Sequence, residues 1–415
     1  MGSEVSLSLT EDYSATADLA QTPLSNGGEL TIFGQGKTLY GNTQGGFNVS
    51  GGTLNIENAT LRNFNSALTI GENSNAEVRG VNFLENTGAI VNKGTLTFTD
   101  CSFTNNGTTA TLAVSEKDSA GAIYNVGRVN VIAAVQDIVF SGNSAGGISN
   151  AIQCAAGSTL NLDALGHRQI RFDDGITGTG NMWINRNGSG TIVLNAKMKD
   201  YAGAVEMNAG TLQLGANGTF FNGASALTLN GGTLDFANGL TQQHTFNKLT
   251  LKSGADVKMH VDADLAAVKM DTLTGTASSL NGNKIDVSQI RLLSDATTEK
   301  TEILFANDVL KGAVKYSGTA ELTYSPLFKY SAAYNDQNGK FTFTRSNSGS
   351  SESFNPAVLA SPIASQVGGY LTQLATYQQA FMGMERHMLL TSNLRANVSN
   401  SAPDTTKAQF DQNDL

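Results

Sequence analysis

The sequence predicts an all-β fold: a right-handed parallel β-helix (a solenoid), followed by a C-terminal β cap region and a C-terminal α-helical linker. The first observation is a repeat. Val78 aligns with Phe98 and Phe83 aligns with Phe103, each pair 20 residues apart, and self-similarity at a fixed short period is typical of solenoids. The second observation is the alternation of apolar and polar residues within each repeat, which indicates half-buried strands.

The strands of this repeat often follow a glycine. In Thr53–Ile56 the side chains of Leu54 and Ile56 fall on one face, and the same pattern returns in Thr95–Phe98 and Thr211–Leu214. The chain holds 45 Gly and only 5 Pro, which favours many tight turns over a proline-rich linker. A helical repeat is not favoured, because the period within each unit is 2 and Gly, Asn and Thr are poor helix formers.

The patterns divide the chain into successive segments. The strand repeat weakens after residue 254, and Asn338-Gly339 between aromatic strands predicts a hairpin. Further on, a serine-rich stretch has the composition of a flexible linker, and apolar residues then recur at helical spacing. We therefore predict an N-terminal cap (1–28), solenoid repeats (29–254), terminal coils with a β-hairpin cap (255–345), a flexible linker (346–355), an amphipathic helix (356–392) and a disordered tail (393–415).

Composition limits the function classes. Charged residues make up 15% of the chain, the net charge is −9, and there is no basic stripe of the kind that nucleic-acid-binding domains carry. We therefore predict no nucleic-acid partner. Cys101 and Cys154 are predicted to be buried small apolar residues, and whether they pair stays open. The opening Met1-Gly2 carries no export signal; we expect it to be an added start, so it says nothing about export.

A second pattern predicts the packing inside the coils. The motif F-x-x-N occurs at Phe83–Asn86, Phe103–Asn106 and Phe140–Asn143. We expect the aromatic rings to stack as an interior column. We expect the asparagines to form a ladder at a bend, because amides one coil apart can bond to each other and to backbone. The predicted structural stack consists of Phe83, Phe103, Phe140, Asn86, Asn106 and Asn143.

Few residues point to catalysis. Asp173-Asp174 before Gly175 is an ordinary turn sequence, but β-helix enzymes that cleave polysaccharides need two carboxylates. Gly142–Gly146 matches the nucleophile motif G-x-S-x-G, yet no helical pattern follows it, so we predict a turn. Trp183 is predicted to be a core residue rather than a sugar-stacking one. No histidine or cysteine spacing fits a metal site, and no cofactor is predicted.

Several motifs carry a family resemblance. The stretches Gly210–Gly215 and Ala226–Leu234 resemble the passenger-associated strand repeat of autotransporter proteins. The F-x-x-N motifs, with partial G-G-A-[ILV] matches such as Gly121–Ile123, resemble the repeats of chlamydial polymorphic outer-membrane proteins. The stretch after Asn355 is similar to the segment that leads into the translocator barrel of this family. No barrel follows before Leu415, so we expect that it lies beyond that residue or that the protein is released.

The resemblance implies a passenger domain that is exported through the bacterial outer membrane and is displayed on the cell surface or secreted. We predict a rigid adhesion scaffold without catalysis. Its predicted partners are a protein or glycan on a host or neighbouring cell, or a second copy of the chain. Two segments, 108–119 and 163–186, are expected to be displayed loops. The alternative is a polysaccharide lyase or glycoside hydrolase that uses Asp173 and Asp174.

Overall fold

A computed structural model of the chain describes residues 4–19, 27–108, 116–198, 200–318, 328–345, 347–348 and 351–352. The regular structure in these ranges is β-strand, with short 3-10 turns such as Glu116–Asp118 and Lys311–Ala313. The prediction of an all-β fold built from parallel coils is confirmed. The right-handed sense of the coil stays a prediction. None of the described ranges contains a helix that is long and apolar enough to cross a membrane.

Most of the strands are short, as expected of a chain that turns a corner every few residues. In chain order they are β1 (Glu4–Ser8), β2 (Tyr13–Ser14), β3 (Glu29–Tyr40), β4 (Gly45–Val49), β5 (Thr53–Arg62), β6 (Ser66–Ile70), β7 (Asn75–Arg79), β8 (Asn82–Leu84), β9 (Ile90–Asn92), β10 (Thr95–Thr99), β11 (Ser102–Thr104), β12 (Gly107–Thr108), β13 (Ile123–Asn125), β14 (Arg128–Ala133), β15 (Ile138–Ser141), β16 (Ser144–Ala145), β17 (Ile148–Ser149), β18 (Ile152–Cys154), β19 (Thr159–Ala164), β20 (Gln169–Phe172), β21 (Ile176–Gly178), β22 (Asn181–Ile184), β23 (Thr191–Leu194), β24 (Ala204–Met207), β25 (Thr211–Leu214), β26 (Ala226–Asp235), β27 (Gln243–Asp264), β28 (Lys269–Met270), β29 (Thr272–Ser279), β30 (Ile285–Ser294), β31 (Lys300–Leu304), β32 (Val314–Tyr316), β33 (Tyr330–Asn335), β34 (Lys340–Arg345), β35 (Asn347–Ser348) and β36 (Ser351–Glu352).

The strands of the coils form three faces. The first face holds β1, β7, β10, β14, β19, β22, β24 and β29; the second holds β2, β8, β11, β15, β20, β23, β25, β30 and β32; the third holds β4, β6, β9, β13, β18 and β21. The long strands β3, β5, β26 and β27 run from the first face around a corner to the second. Neighbouring coils pair in parallel, and β1 and β2, in the segment predicted as a cap, pair in the same way with β3.

The register follows the offset seen in the sequence. Val78 pairs with Phe98, and Phe83 pairs with Phe103. Within β7 the side chains of Ala76 and Val78 are buried while the residues between and beside them are exposed. Because the buried side chains of one coil contact those of the next, the core is a continuous apolar column along the solenoid axis.

Two excursions leave the coils where the spacing of the repeat widens. The first lies between β11 and β13; its residues 109–115, most of the loop predicted at 108–119, fall outside the described part of the chain. The second is the antiparallel hairpin β16–β17, which turns at Gly146-Gly147. Both glycines have positive φ, a conformation that suits residues without a side chain. Ile148 at this turn is exposed.

The expectation of a displayed loop at 163–186 is wrong. This segment contains all of β20, β21 and β22, and all three continue the faces of the solenoid. Ile170, Phe172 and Ile176 in this segment are fully buried. Its short strands are separated by polar turns, which is why the composition suggested a loop, but the alternation within each strand places its apolar side chains in the core.

The coils continue past the clear repeats and are followed by an antiparallel sheet. β30 and β32 extend the second face in parallel. β31, β34 and β33 form a three-stranded antiparallel sheet, with a turn at Gly339 between β33 and β34. Most of the linker predicted at 346–355, and all of the helix at 356–392 and the tail at 393–415, lie outside the described residues.

Candidate functional site

The aromatic residues of the predicted stack lie in the interior. The ring centroids of Phe83 and Phe103 are 5.1 Å apart with 4° between the planes, and those of Phe103 and Phe140 are 4.4 Å apart with 2°. Phe172 continues the column, 4.6 Å from Phe140. The F-x-x-N motif missed it, because no asparagine follows it at the third position. All four rings are buried, so the column contributes packing rather than a contact surface.

The three predicted asparagines form a hydrogen-bonded ladder that ends on a carboxylate. Nδ2 of Asn86 donates to Oδ1 of Asn106 at 2.9 Å, and Nδ2 of Asn106 donates to Oδ1 of Asn143 at 3.0 Å. Nδ2 and the backbone N of Asn143 both donate to Oδ2 of Asp174, each at 2.8 Å. Each asparagine also donates to a backbone carbonyl of the coil before it. We call these four buried residues the amide ladder.

The two carboxyl groups of the acidic pair lie in different surroundings. Asp174 is buried at the end of the amide ladder, where it also accepts from Oγ of Ser149 at 3.3 Å. Burial raises the pKa of Asp174, and its hydrogen bonds oppose that effect. Asp173 is directed outward: it accepts from Arg171 at 2.9 Å and from Asn195 at 2.9 Å. Asp173 and Asp174 lie in the bend after β20, where one side chain is turned into the solenoid and the other away from it, so the pair does not line one groove.

The only tryptophan of the chain stands on the outer side of the first face. In β22 the buried positions belong to Met182 and Ile184, and Trp183 between them is half-buried. The prediction of a core tryptophan is therefore wrong, because the alternation of the strand gives the inner positions to its two neighbours. In register, Trp183 lies between Asn161 of β19 and Glu206 of β24.

Two arginines flank this indole. The guanidinium carbon of Arg186 is 4.6 Å from the ring centroid of Trp183, and that of Arg128 is 5.9 Å from it, both within the range of cation–π attraction. Both arginines are exposed, and neither forms an ion pair with a carboxylate in the described part of the chain. We call Arg128, Trp183 and Arg186 the arginine–tryptophan patch.

Hydrogen bonds to β19 of the neighbouring coil fix the turn that carries Arg186. The backbone N of Asn187 donates to Oδ1 of Asp163 at 2.9 Å, and its Nδ2 donates to Oδ2 at 3.3 Å. The backbone N of Ala164 donates to Oδ1 of Asn185 at 3.0 Å. Asp163 is consequently a buried anchor, and Arg186 projects from a turn whose backbone is fixed on both sides.

A second polar group lies in the interior further along the chain. Arg291 donates to both oxygens of Asp262, from Nε at 2.6 Å and from Nη2 at 2.7 Å. Asp271 accepts from the backbone N of Asp262 at 2.7 Å and lies 3.2 Å from Nε2 of His244. Burial raises the pKa of Asp271, and the hydrogen bond with His244 opposes it. We call these four residues the ionic cluster; their positions share no repeat spacing, so sequence patterns did not indicate it.

The remaining candidates are packing or turn residues. Cys101 and Cys154 are buried free thiols, and burial raises the pKa of each to about 12. Ser144 of the G-x-S-x-G match lies in β16, and the element that follows it is the strand β17. Over the ranges that the structure describes, no group of three or more His, Cys, Asp or Glu side chains is arranged to hold a metal ion.

Comparison of the chain with protein-family models, with curated proteins and with solved structures finds no match in any of the three. The geometry of the described residues is therefore the basis for any functional conclusion.

Proposed function

We propose that this chain is the surface-displayed passenger domain of an autotransporter-type protein, and that it binds a partner without catalysing a reaction. The observation that best supports the binding role is the arginine–tryptophan patch on the outer side of the first face. Arginine and tryptophan are enriched among the residues that dominate binding energy at interfaces, and Arg128 and Arg186 are exposed without a carboxylate partner in the described ranges.

The solenoid suits a binding role because it holds outward side chains at fixed spacing. Each coil pairs with the next in a fixed register, about 4.8 Å apart as in any sheet. Side chains on neighbouring strands of one face therefore present a regular array without a conformational change. The expected partners are a protein or glycan on a host or neighbouring cell, or a second copy of the chain.

The alternative of polysaccharide cleavage is less well supported. Asp174, one of its two carboxylates, receives two hydrogen bonds from Asn143 inside the solenoid. Asp173 is directed outward beside Arg171. An enzyme of this class needs two carboxyl groups that face the same scissile bond.

Surface display and binding can be tested together. Antibodies raised against residues 27–318 should label intact cells that produce the full protein, and external protease should remove the signal. The purified chain should bind target cells saturably and release no new sugar ends from polysaccharides in the medium. Labelling that requires permeabilised cells, or turnover of a polysaccharide, would contradict the proposal.

A further inference from the structure

We propose that the arginine–tryptophan patch binds an acidic saccharide, one that bears carboxylate or sulfate groups. This inference rests on the proposed binding function and names its ligand class. The site is formed by Arg128, Trp183 and Arg186 on the first face, with Asn161 and Glu206 in register on either side of the indole.

The arginines select an anion. A guanidinium offers a planar fork of donors that matches a carboxylate, and it remains charged at any physiological pH. Arg128 and Arg186 are exposed and have no carboxylate partner in the described ranges, although the chain as a whole carries a net charge of −9. The indole restricts the guanidinium of Arg186 by stacking at 4.6 Å, so less side-chain entropy is lost when the anion binds.

The surroundings of the patch favour a saccharide over other anions. Thr97, Asn130, Asn161 and Trp183 follow one another in register along the outer side of the first face. Amides and hydroxyls both donate and accept hydrogen bonds, as sugar hydroxyls require. A nucleic acid would require a longer basic stripe than two arginines.

A nearby carboxylate sets the orientation of the ligand. Glu206 lies on the far side of Trp183 from Asn161, and it accepts from Nδ2 of Asn230 at 2.9 Å. An anionic group placed beside Glu206 would be repelled. The acidic group of the saccharide therefore lies toward Arg128 and Asn161, and uncharged hydroxyls lie toward Glu206.

The test uses the full chain and four defined probes: polygalacturonate, dextran sulfate, neutral dextran and poly-glutamate. Binding is measured by calorimetry at low and at physiological salt. The variant R128Q/R186Q removes both cations of the patch. The matched control R168Q/R171Q removes the same charge from the second face, where these arginines lie beside Asp137 and Asp173. W183L removes the indole, and circular dichroism checks that every variant folds.

We expect the chain to bind one or both acidic saccharides more tightly than neutral dextran and poly-glutamate. R128Q/R186Q should lose at least about tenfold in affinity, because two charge-assisted hydrogen-bonding groups are removed. W183L should lose affinity as well, and R168Q/R171Q should stay within about twofold of the original chain. The salt dependence should weaken in R128Q/R186Q and not in the control.

Three outcomes would overturn the inference: equal losses in R128Q/R186Q and its control, tighter binding of poly-glutamate than of either acidic saccharide, or binding of neutral dextran alone. If the chain still attaches to target cells in any of these cases, the proposed function stands with another ligand class. If the chain binds neither cells nor any probe, the proposed function itself fails.

Discussion

The amide ladder and the ionic cluster are two ways of placing polar groups inside the same solenoid. In the ladder, each asparagine accepts from the coil before it and donates to the coil after it. In the cluster, a guanidinium neutralises one buried carboxylate and a histidine contacts another. Both arrangements supply partners to buried groups. The asparagines of the ladder are uncharged and only its terminal residue, Asp174, is a carboxylate, whereas the cluster removes several charged groups from water.

The difference shows which polar arrangement can be repeated from coil to coil and which cannot. An amide is both donor and acceptor, so one residue type can be repeated from coil to coil without accumulating charge. An ion pair satisfies only the two groups that form it. A second pair on the next coil would add a further desolvation cost. The ladder is therefore a periodic device, whereas the cluster is a local arrangement of the C-terminal coils.

The largest expected effect comes from removing the cation of the ionic cluster. Arg291→Met leaves the carboxylate of Asp262 buried without its cationic partner, with the backbone N of Gly239 still donating to it, so we expect the free energy of unfolding to fall by about 3–5 kcal/mol. Urea unfolding followed by circular dichroism measures this change. The control is Arg62→Met, which breaks the half-exposed pair with Glu85 and should cost about 0–1 kcal/mol. Equal costs for the two variants would show that Asp262 does not depend on Arg291.

The next effect comes from breaking the amide ladder in its middle. Asn106→Ala leaves the backbone N and Nδ2 of Asn86 without their acceptor and removes the donor to the carbonyl of Phe83. We expect a loss of about 3 kcal/mol, since unsatisfied buried groups are costly. Urea unfolding measures it.

The matched control for the ladder is an exposed amide on the same coil repeat. Asn82 accepts a hydrogen bond from Ser102 on the surface, so Asn82→Ala should change the unfolding free energy by at most about 0.5 kcal/mol. If Asn106→Ala proved as mild as Asn82→Ala, the ladder would contribute nothing to stability beyond ordinary packing.

Periodicity determines which of these features can be predicted from the sequence. Phe103 and Phe140 lie in one column although an excursion separates them, because the extra residues leave the coil after the F-x-x-N motif and do not shift its register. Phe172 and Asp174 continue the same two stacks, but one residue lies between them where the motif has two, so the pattern did not include them. A motif search that allowed one deletion and Asp in place of Asn would have found both.

Features that join different coils without a repeated motif could not be predicted from the sequence. The ionic cluster joins residues of different coils with unrelated spacings, and its members have partners only after the chain has wound around the axis. The arginine–tryptophan patch depends on side chains of different lengths meeting across coils. The alternation in β22 did indicate that Trp183 faces outward; the general preference of tryptophan for the core outweighed it in the prediction.

The smallest effect concerns the carboxylate that ends the amide ladder. Burial raises the pKa of Asp174 above its usual 3.8, so the folded chain holds this proton more tightly than the unfolded chain does. Stability therefore falls as pH rises from about 4 through the raised pKa, because the buried group must ionise.

Asp174→Asn cannot ionise, and its amide can accept from Asn143 as the other ladder asparagines do. We expect the unfolding free energy of Asp174→Asn, relative to the original chain, to increase by about 1 kcal/mol between pH 4 and pH 7. Asp271 is present in both proteins, so its own titration cancels in the difference. Asp173→Asn makes the same change in net charge at the neighbouring position and serves as the control. A difference for Asp174→Asn that is flat, or that decreases with pH, would show that the carboxylate suits this end of the ladder better than a fourth amide.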